Sequence, residues 1–265
     1  MPHPVLELPR LHHTKLTRLI DRGIVAVEDV PDDFPLTDKQ ALVRDCILQN
    51  GIHLGPGLKA ALQTITFPAY YLDFESVQTC IPLYPGIAPY TQIPTQYSLH
   101  LCSAPGKIRI HKSYLADPQH DCRRELAEKL IKDSGSKGSI LTYSSFEKRI
   151  ITELKALFPD LAVKLTALLN RLVDLHAILS QNYYHPDFAG SYSLKQVAPV
   201  LIPDLSYNEL EIAEGGTASA IFAYMARGRY SAAEMKQIRQ DLLRYCEQDT
   251  LAMVRLHVEL WKQSR

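Results

Sequence analysis

Two acidic clusters far apart in the chain carry the residue types of a divalent-cation site: Asp73-Phe74-Glu75 and Tyr245-Cys246-Glu247-Gln248-Asp249. The first lies within Ala69-Tyr-Tyr-Leu-Asp-Phe-Glu-Ser76, an apolar and aromatic run bounded by Pro68, which predicts a core β-strand. Side chains alternate along a strand, so Asp73 and Glu75 share a face. Two carboxylates side by side on a buried strand repel each other and lose hydration, and a cation between them offsets both costs. Mg²⁺ or Mn²⁺ suits such a set, because hard cations take carboxylate oxygen.

The second cluster belongs to a predicted helix. Ser231-Ala-Ala-Glu234 has the form of a capping box, and Ile238, Leu242, Tyr245, Asp249, Ala252 and Leu256 then recur at three- and four-residue steps. Tyr245 and Asp249 therefore share the face that otherwise carries apolar residues. An aspartate on a packed face needs a partner, and a metal shared with the strand carboxylates supplies one. The plain alternative is that Asp249 caps or pairs with another group and that Tyr245 is core.

Positioning these groups takes a sheet and a long helix. Gln96 to Leu101 and Ile108 to Leu115 read as two strands around a turn at Ala104-Pro-Gly-Lys107, an antiparallel start. A helix near Cys122 to Lys132, a short strand from Ser139 to Tyr143 and a helix from Phe146 to Phe158 follow. The later region is mostly helical, with Leu161, Leu165, Leu168, Leu172 and then Leu194, Val197, Leu201. Strands first and then alternating β and α predict an α/β fold with a mixed sheet flanked by helices. Residues 1–66 differ in character: Thr14 to Arg22 and Thr37 to Leu48 read as two short helices, the second opened by Thr37-Asp-Lys-Gln40. The expected organisation is a small helical N-terminal extension over 1–66 and one domain over 67–265.

The paired clusters resemble the DnaQ-like, or DEDD, exonuclease superfamily, whose members carry D-x-E on the first strand and a final Asp preceded four residues earlier by Tyr in one subclass. Position 245 is Tyr and position 244 is Arg, so the chain looks like the tyrosine subclass. Over roughly residues 67–260, Tyr71-Leu-Asp-Phe-Glu75, Ile93-Pro-Thr-Gln-Tyr-Ser-Leu-His100, Arg171-Leu-Val-Asp-Leu175, Tyr184-His-Pro186, Gly190-Ser-Tyr-Ser-Leu-Lys195 and Tyr245-Cys-Glu-Gln-Asp-Thr-Leu-Ala-Met253 look like a bacterial domain family of unassigned function that often follows a RecB-like nuclease domain. The resemblance implies a ribonuclease H-like mixed sheet and a 3′–5′ exonuclease acting on DNA or RNA. It further implies two Mg²⁺ or Mn²⁺ ions held by Asp73, Glu75 and Asp249, with Asp73 bridging them. The implied partners are a single strand or 3′ end, and a RecB-like nuclease domain or other repair protein. Tyr245 would orient the attacking water; a phenol with an ordinary pKa of about 10 is a poor base, so activation of that water falls to the metal.

Two further carboxylates are candidates for the catalytic set. Thr142-Tyr-Ser-Ser-Phe-Glu147 stands at the superfamily's second motif, where Asn and Asp are usual and this chain offers Ser144 and Glu147. Glu147 could reach a water beside the metals, or it could complete a capping box with Ser144 and do no chemistry. Asp174, in Leu172-Val-Asp-Leu-His176, either points inward from a strand toward the site or caps a helix over 175–180. The altered second motif also allows a rival reading, a catalytically weak nucleic-acid-binding or partner-docking module.

Composition bounds these readings. The 265 residues, 46% hydrophobic and 22% charged, are ordinary for a globular chain, and 29 basic against 29 acidic residues give no global attraction to nucleic acid. A local patch of Lys148, Arg149, Lys155, Lys164, Arg171 and Lys195 could serve an enzyme that grips a few nucleotides, although singly such residues are usually solvated helix faces. No apolar run is long enough to cross a membrane and Met1-Pro-His-Pro is unlike a signal peptide, so a cytoplasmic location is expected. Five cysteines, at 46, 80, 102, 122 and 246, are widely spaced without C-x-x-C, which argues against a disulfide framework or a zinc knuckle. The ten histidines show no metal-binding spacing in sequence, and none is assigned to a metal.

Overall fold

A computed structural model describes residues 2–205, 207, 210–212 and 214–265. Strand formation follows the apolar and aromatic runs. β2 (Ala69–Val77), β3 (Ile93–Cys102), β4 (Ile108–Leu115), β5 (Ile140–Thr142) and β6 (Leu172–Asp174) form one sheet in the order β4-β3-β2-β5-β6. β2 pairs antiparallel with β3 and β3 with β4, whereas β5 runs parallel to β2 and β6 parallel to β5. The fold is therefore mixed α/β, built on a mixed five-stranded sheet with helices packed on it.

The alternation of β2 divides the core. Tyr70, Leu72 and Phe74 pack against α4 (Arg123–Asp133), α5 (Phe146–Leu157) and α6 (Ala162–Leu169) through Leu126, Leu130, Ile150, Leu154 and Leu165. Each fully buried aliphatic side chain of this kind contributes about 1.5–3 kcal/mol. Ala69 and Tyr71 pack in a second core with α7 (Leu175–Asn182) and the C-terminal half of α10 (Ala232–Gln263). Asp73 and Glu75 continue the Tyr71 face, so they point toward α10.

α10 is held in place along its length. The expected capping box is formed, with Ser231 and Glu234 each accepting the other's backbone N–H. Arg239 then donates to the carbonyls of Leu115 and Ala116 at 3.0 and 2.9 Å, and Gln96 Nε2 donates to the Leu242 carbonyl at 2.8 Å. Ser98 Oγ meets Thr250 Oγ1 at 2.7 Å, and the Tyr71 hydroxyl meets His257 Nδ1 at 2.7 Å. These bonds from β2, β3 and the end of β4 set the rotation of the helix about its axis.

The N-terminal residues share the second core rather than forming one of their own. α1 (His13–Ile20) and α2 (Asp38–Leu48), the latter opened by the expected Thr37–Gln40 capping box, bring Leu19, Val43 and Ile47 into one cluster with Tyr71, Leu141, Leu175 and Leu256. A two-residue strand pair, β1 (His53–Leu54) with β7 (Tyr183–Tyr184), and the short α3 (Leu58–Gln63) complete the join. Gly190 allows a close approach at this join: its φ is +73°, and a Cβ there would lie 1.8 Å from the Glu7 carbonyl oxygen. All five cysteines are free and four are buried. Among the described residues no helix is long and apolar enough to cross a membrane.

Candidate metal centre

The sheet and α10 bring the two acidic clusters together. Asp73 and Glu75 from β2 and Asp249 from α10 each offer a carboxylate oxygen, and these lie within 4.8 Å of one another. Asp249 is 7% exposed, whereas Asp73 and Glu75 keep partly exposed faces although protein surrounds them. The open side is a cleft of about 330 Å³ bounded by Asp73, Asp249, Glu147 and Lys195, with Tyr143 and Phe146 as aromatic walls.

Donors among the described residues approach these carboxylates directly. Tyr207 donates its hydroxyl proton to Asp249 Oδ1 at 2.8 Å, and the Cys246 thiol lies 3.5 Å from Asp73 Oδ2. The Tyr245 hydroxyl lies close enough to Glu75 and Asp249 to stabilise their charged forms, and it accepts from Lys195 Nζ at 2.9 Å. Among the described residues, the carboxylates of Asp73, Glu75, Glu147 and Asp249 thus lie together with the Lys195 ammonium near them.

Their electrostatics follow from that imbalance. Burial, and then the charges of Asp249, Glu75 and Glu147, push Asp73 well above the ordinary carboxylate range. Glu75 is pushed up to about 8 by burial and by Asp249, against the opposing pull of Lys195 and Tyr245. Burial also raises Asp249, although Tyr207, Lys195 and Tyr245 oppose it. All three shifts run against ionisation, and a bound cation would reverse them. An all-oxygen donor set with excess negative charge fits Mg²⁺ or Mn²⁺.

The other expected residues separate in position. Tyr245 lies beside Glu75 and Asp249, and burial and the neighbouring carboxylates hold its phenol above the ordinary range, so it keeps its proton. Glu147 is 3% exposed and lines the cleft. The capping box, one of the two readings for it, does not form, because α5 starts one residue late: Ser145 is the N-cap, which puts Glu147 at the second helical position instead of the third. Ser144 Oγ instead accepts the Phe146 N–H at 3.0 Å and donates to Glu147 Oε2 at 3.3 Å. Burial pushes Glu147 up to about 7. Asp174 takes the capping role, accepting the Ala177 N–H at 3.1 Å at the start of α7. It stands outside the three-carboxylate group, close enough for its charge to raise Glu147.

The expected basic patch also divides. Arg171 is structural: its guanidinium donates to the carbonyls of Gly138, Gly135, Ser134 and Lys137 at 2.7 to 2.9 Å and lies over the Tyr70 ring. Lys195 belongs to the site itself. Tyr207 was not anticipated, since it sits in an aperiodic connection whose sequence carries no positional signal. Gly215, at the start of α9 (Gly215–Ala226), was missed likewise; a Cβ there would lie 3.5 Å from Glu75 Oε2 and 3.7 Å from the Tyr245 hydroxyl.

Comparison with known proteins gives relatives without an assigned activity. Residues 70–193 match the family described as a domain of unknown function, DUF2779, in keeping with the expected likeness to a domain family of unassigned function. The chain is 23% identical over 230 residues to "Uncharacterized protein MG366 homolog" of Mycoplasma pneumoniae, covering 79% of this chain and 34% of that protein. It is 24% identical over 206 residues to "Uncharacterized protein UU173" of Ureaplasma parvum serovar 3, covering 69% and 30% respectively. The chain therefore spans about a third of the length of the curated relatives it matches. No solved structure matches it.

Proposed function

We propose that this chain is a divalent-metal-dependent 3′–5′ exonuclease that hydrolyses phosphodiester bonds of DNA or RNA single strands. The observation that carries this reading is the convergence of Asp73, Glu75 and Asp249 within 4.8 Å, with Asp73 and Asp249 lining an open cleft. Three antiparallel strands followed by two parallel ones support the ribonuclease H-like reading of the fold and, with Tyr245 one turn before Asp249, the DnaQ-like relationship. The buried, cleft-lining position of Glu147 favours an enzyme over a degenerate binding module.

Asp73, Glu75 and Asp249 would hold the Mg²⁺ or Mn²⁺ ions. When bound, such ions make water nucleophilic at neutral pH and offset charge on the attacking and leaving oxygens. Tyr245 retains its proton, so it orients by hydrogen bonding instead of acting as a base. Lys195, bonded to the Tyr245 oxygen, sets the direction of that hydroxyl and brings positive charge to the cleft. Glu147, with a pKa pushed up to about 7, can take up or release a proton near neutrality. Tyr143 and Phe146 offer ring faces to a terminal base, a contact worth about 1–3 kcal/mol. Lys148 and Arg149, both exposed beside Phe146, can meet the backbone phosphates. A RecB-like nuclease domain or another repair protein is the partner this reading implies.

The test is cleavage of a 5′-labelled single-stranded oligonucleotide. Shortening from the 3′ end is expected with Mg²⁺ or Mn²⁺, none in excess EDTA, and none in Asp73→Asn or Asp249→Asn, which keep volume but remove ligand charge. Glu147→Gln should fold normally and turn over more slowly. Equal activity in EDTA, or loss from the 5′ end, would overturn the reading.

A further inference from the structure

Sheet register, and not sequence spacing, assembles a second group of metal-ligand types. His100 on β3 and His111 on β4 are direct partners in the antiparallel ladder, with ring centroids 4.5 Å apart. Both face α10, where Glu247 reaches the same point. One ligand atom from each of His100, His111 and Glu247 lies within 4.8 Å of the other two.

A chain of hydroxyls gives one consistent placement of the ring protons. Thr250 Oγ1 lies 3.0 Å from the Glu247 carbonyl and donates to it, as helical threonine hydroxyls do. With its one proton used, Thr250 accepts from Ser98 Oγ at 2.7 Å and from His100 Nδ1 at 2.8 Å. Ser98, whose proton is then on Thr250, accepts from His111 Nε2 at 2.9 Å. The lone pairs are left on His100 Nε2 and His111 Nδ1. His111 Nδ1 thus turns a lone pair toward Glu247 Oε1, 3.4 Å away.

That distance is informative. A charge-assisted N–H to carboxylate bond closes to about 2.7–2.9 Å. Two atoms bound to one tetrahedral ion at about 2.0–2.1 Å stand about 3.3 Å apart. The separation therefore suits ligands of a shared cation better than a direct ion pair. Two imidazoles and a carboxylate are the ligand types of Zn²⁺ and similar borderline metals, and a ligating histidine donates its other ring N–H to an acceptor, a place the Thr250 and Ser98 oxygens take here. His111 and Glu247 are partly exposed, which leaves a fourth position for water.

We propose that His100, His111 and Glu247 form a transition-metal site of the Zn²⁺ class, separate from the Asp73 centre. Its occupancy fastens α10 to β3 and β4 two residues before Asp249, and so steadies the helix segment that presents Tyr245 and Asp249 to the cleft. The inference rests on its own geometry and does not require the nuclease reading.

The experiment is calorimetric titration of the metal-stripped full chain with Zn²⁺ in excess Mg²⁺, together with visible absorption of the Co²⁺ form. It is run in the Asp73→Asn/Asp249→Asn background, so that the carboxylate centre cannot contribute. One Zn²⁺ per chain and a tetrahedral Co²⁺ spectrum are expected. His111→Ala and Glu247→Gln, both at partly exposed positions and checked for folding by circular dichroism, should each weaken Zn²⁺ binding at least about tenfold. No Zn²⁺ uptake in that background, which would mark a simple imidazolium–carboxylate pair, overturns the proposal. So does affinity unchanged by both substitutions, which would mark adventitious binding.

Discussion

Asp73 and Glu75 are carboxylates whose folded-state pKa values stand above their ordinary ones, and this has a thermodynamic sign. The ordinary value for Glu75 is 4.5 and its folded value is about 8, so between these limits the folded chain holds more protons than the unfolded one. Stability is then fully retained below about pH 4.5 and falls as pH rises toward 8. Melting temperatures in EDTA should decline across that window, and Mn²⁺, which binds the ionised form, should restore stability at its upper end. A profile in EDTA that is flat or rises would contradict the assigned burial of these charges. Tyr245 supplies a second residue-scale prediction. Tyr245→Phe keeps the ring that packs α10 and loses the hydroxyl that accepts from Lys195 and stands beside Glu75 and Asp249. Folding and Mn²⁺ binding should survive while single-turnover cleavage falls by about 10² to 10⁴. An unaltered rate would remove Tyr245 from the mechanism.

At the scale of elements, β2, β3, β4 and α10 were legible because each is long enough to show its period, and the two carboxylate clusters followed from those periods. Glu147 shows where period alone stops. A shift of one residue in the start of α5 moves it from a capping position into the cleft, and propensity does not resolve a boundary that finely. Asp174 shows the converse, a short strand that ends on its own helix cap. Tyr207 and the β1–β7 pair left no sequence signal, since an aperiodic connection and two-residue strands have no pattern to read. His100 and His111 were invisible as a pair because their meeting depends on the register of β3 with β4. The capping box of α10 makes an element-scale prediction: Ser231→Ala should cost about 1 kcal/mol in urea unfolding. Activity should be unchanged, because Arg239, Gln96 and Ser98 still hold the helix beyond its first turn. A large loss of activity would mean that the first turn, and not these later bonds, orients Asp249.

For the whole molecule, the arrangement of layers decides what the chemistry can be. The sheet separates two apolar cores, and the carboxylates occupy the seam where the face of β2 meets α10, beside the cleft walled by Tyr143, Phe146 and Lys195. Residues of the N-terminal extension share the second core with α10, so among the described residues the extension supports the scaffold of the site without contributing to the carboxylate group. The central claim is that this seam holds hard divalent ions, and anomalous diffraction from crystals soaked in Mn²⁺ tests it most directly. The account predicts two peaks about 3.5–4 Å apart among Asp73, Glu75 and Asp249. Anomalous density absent from these three residues, or confined to His100, His111 and Glu247, would contradict it.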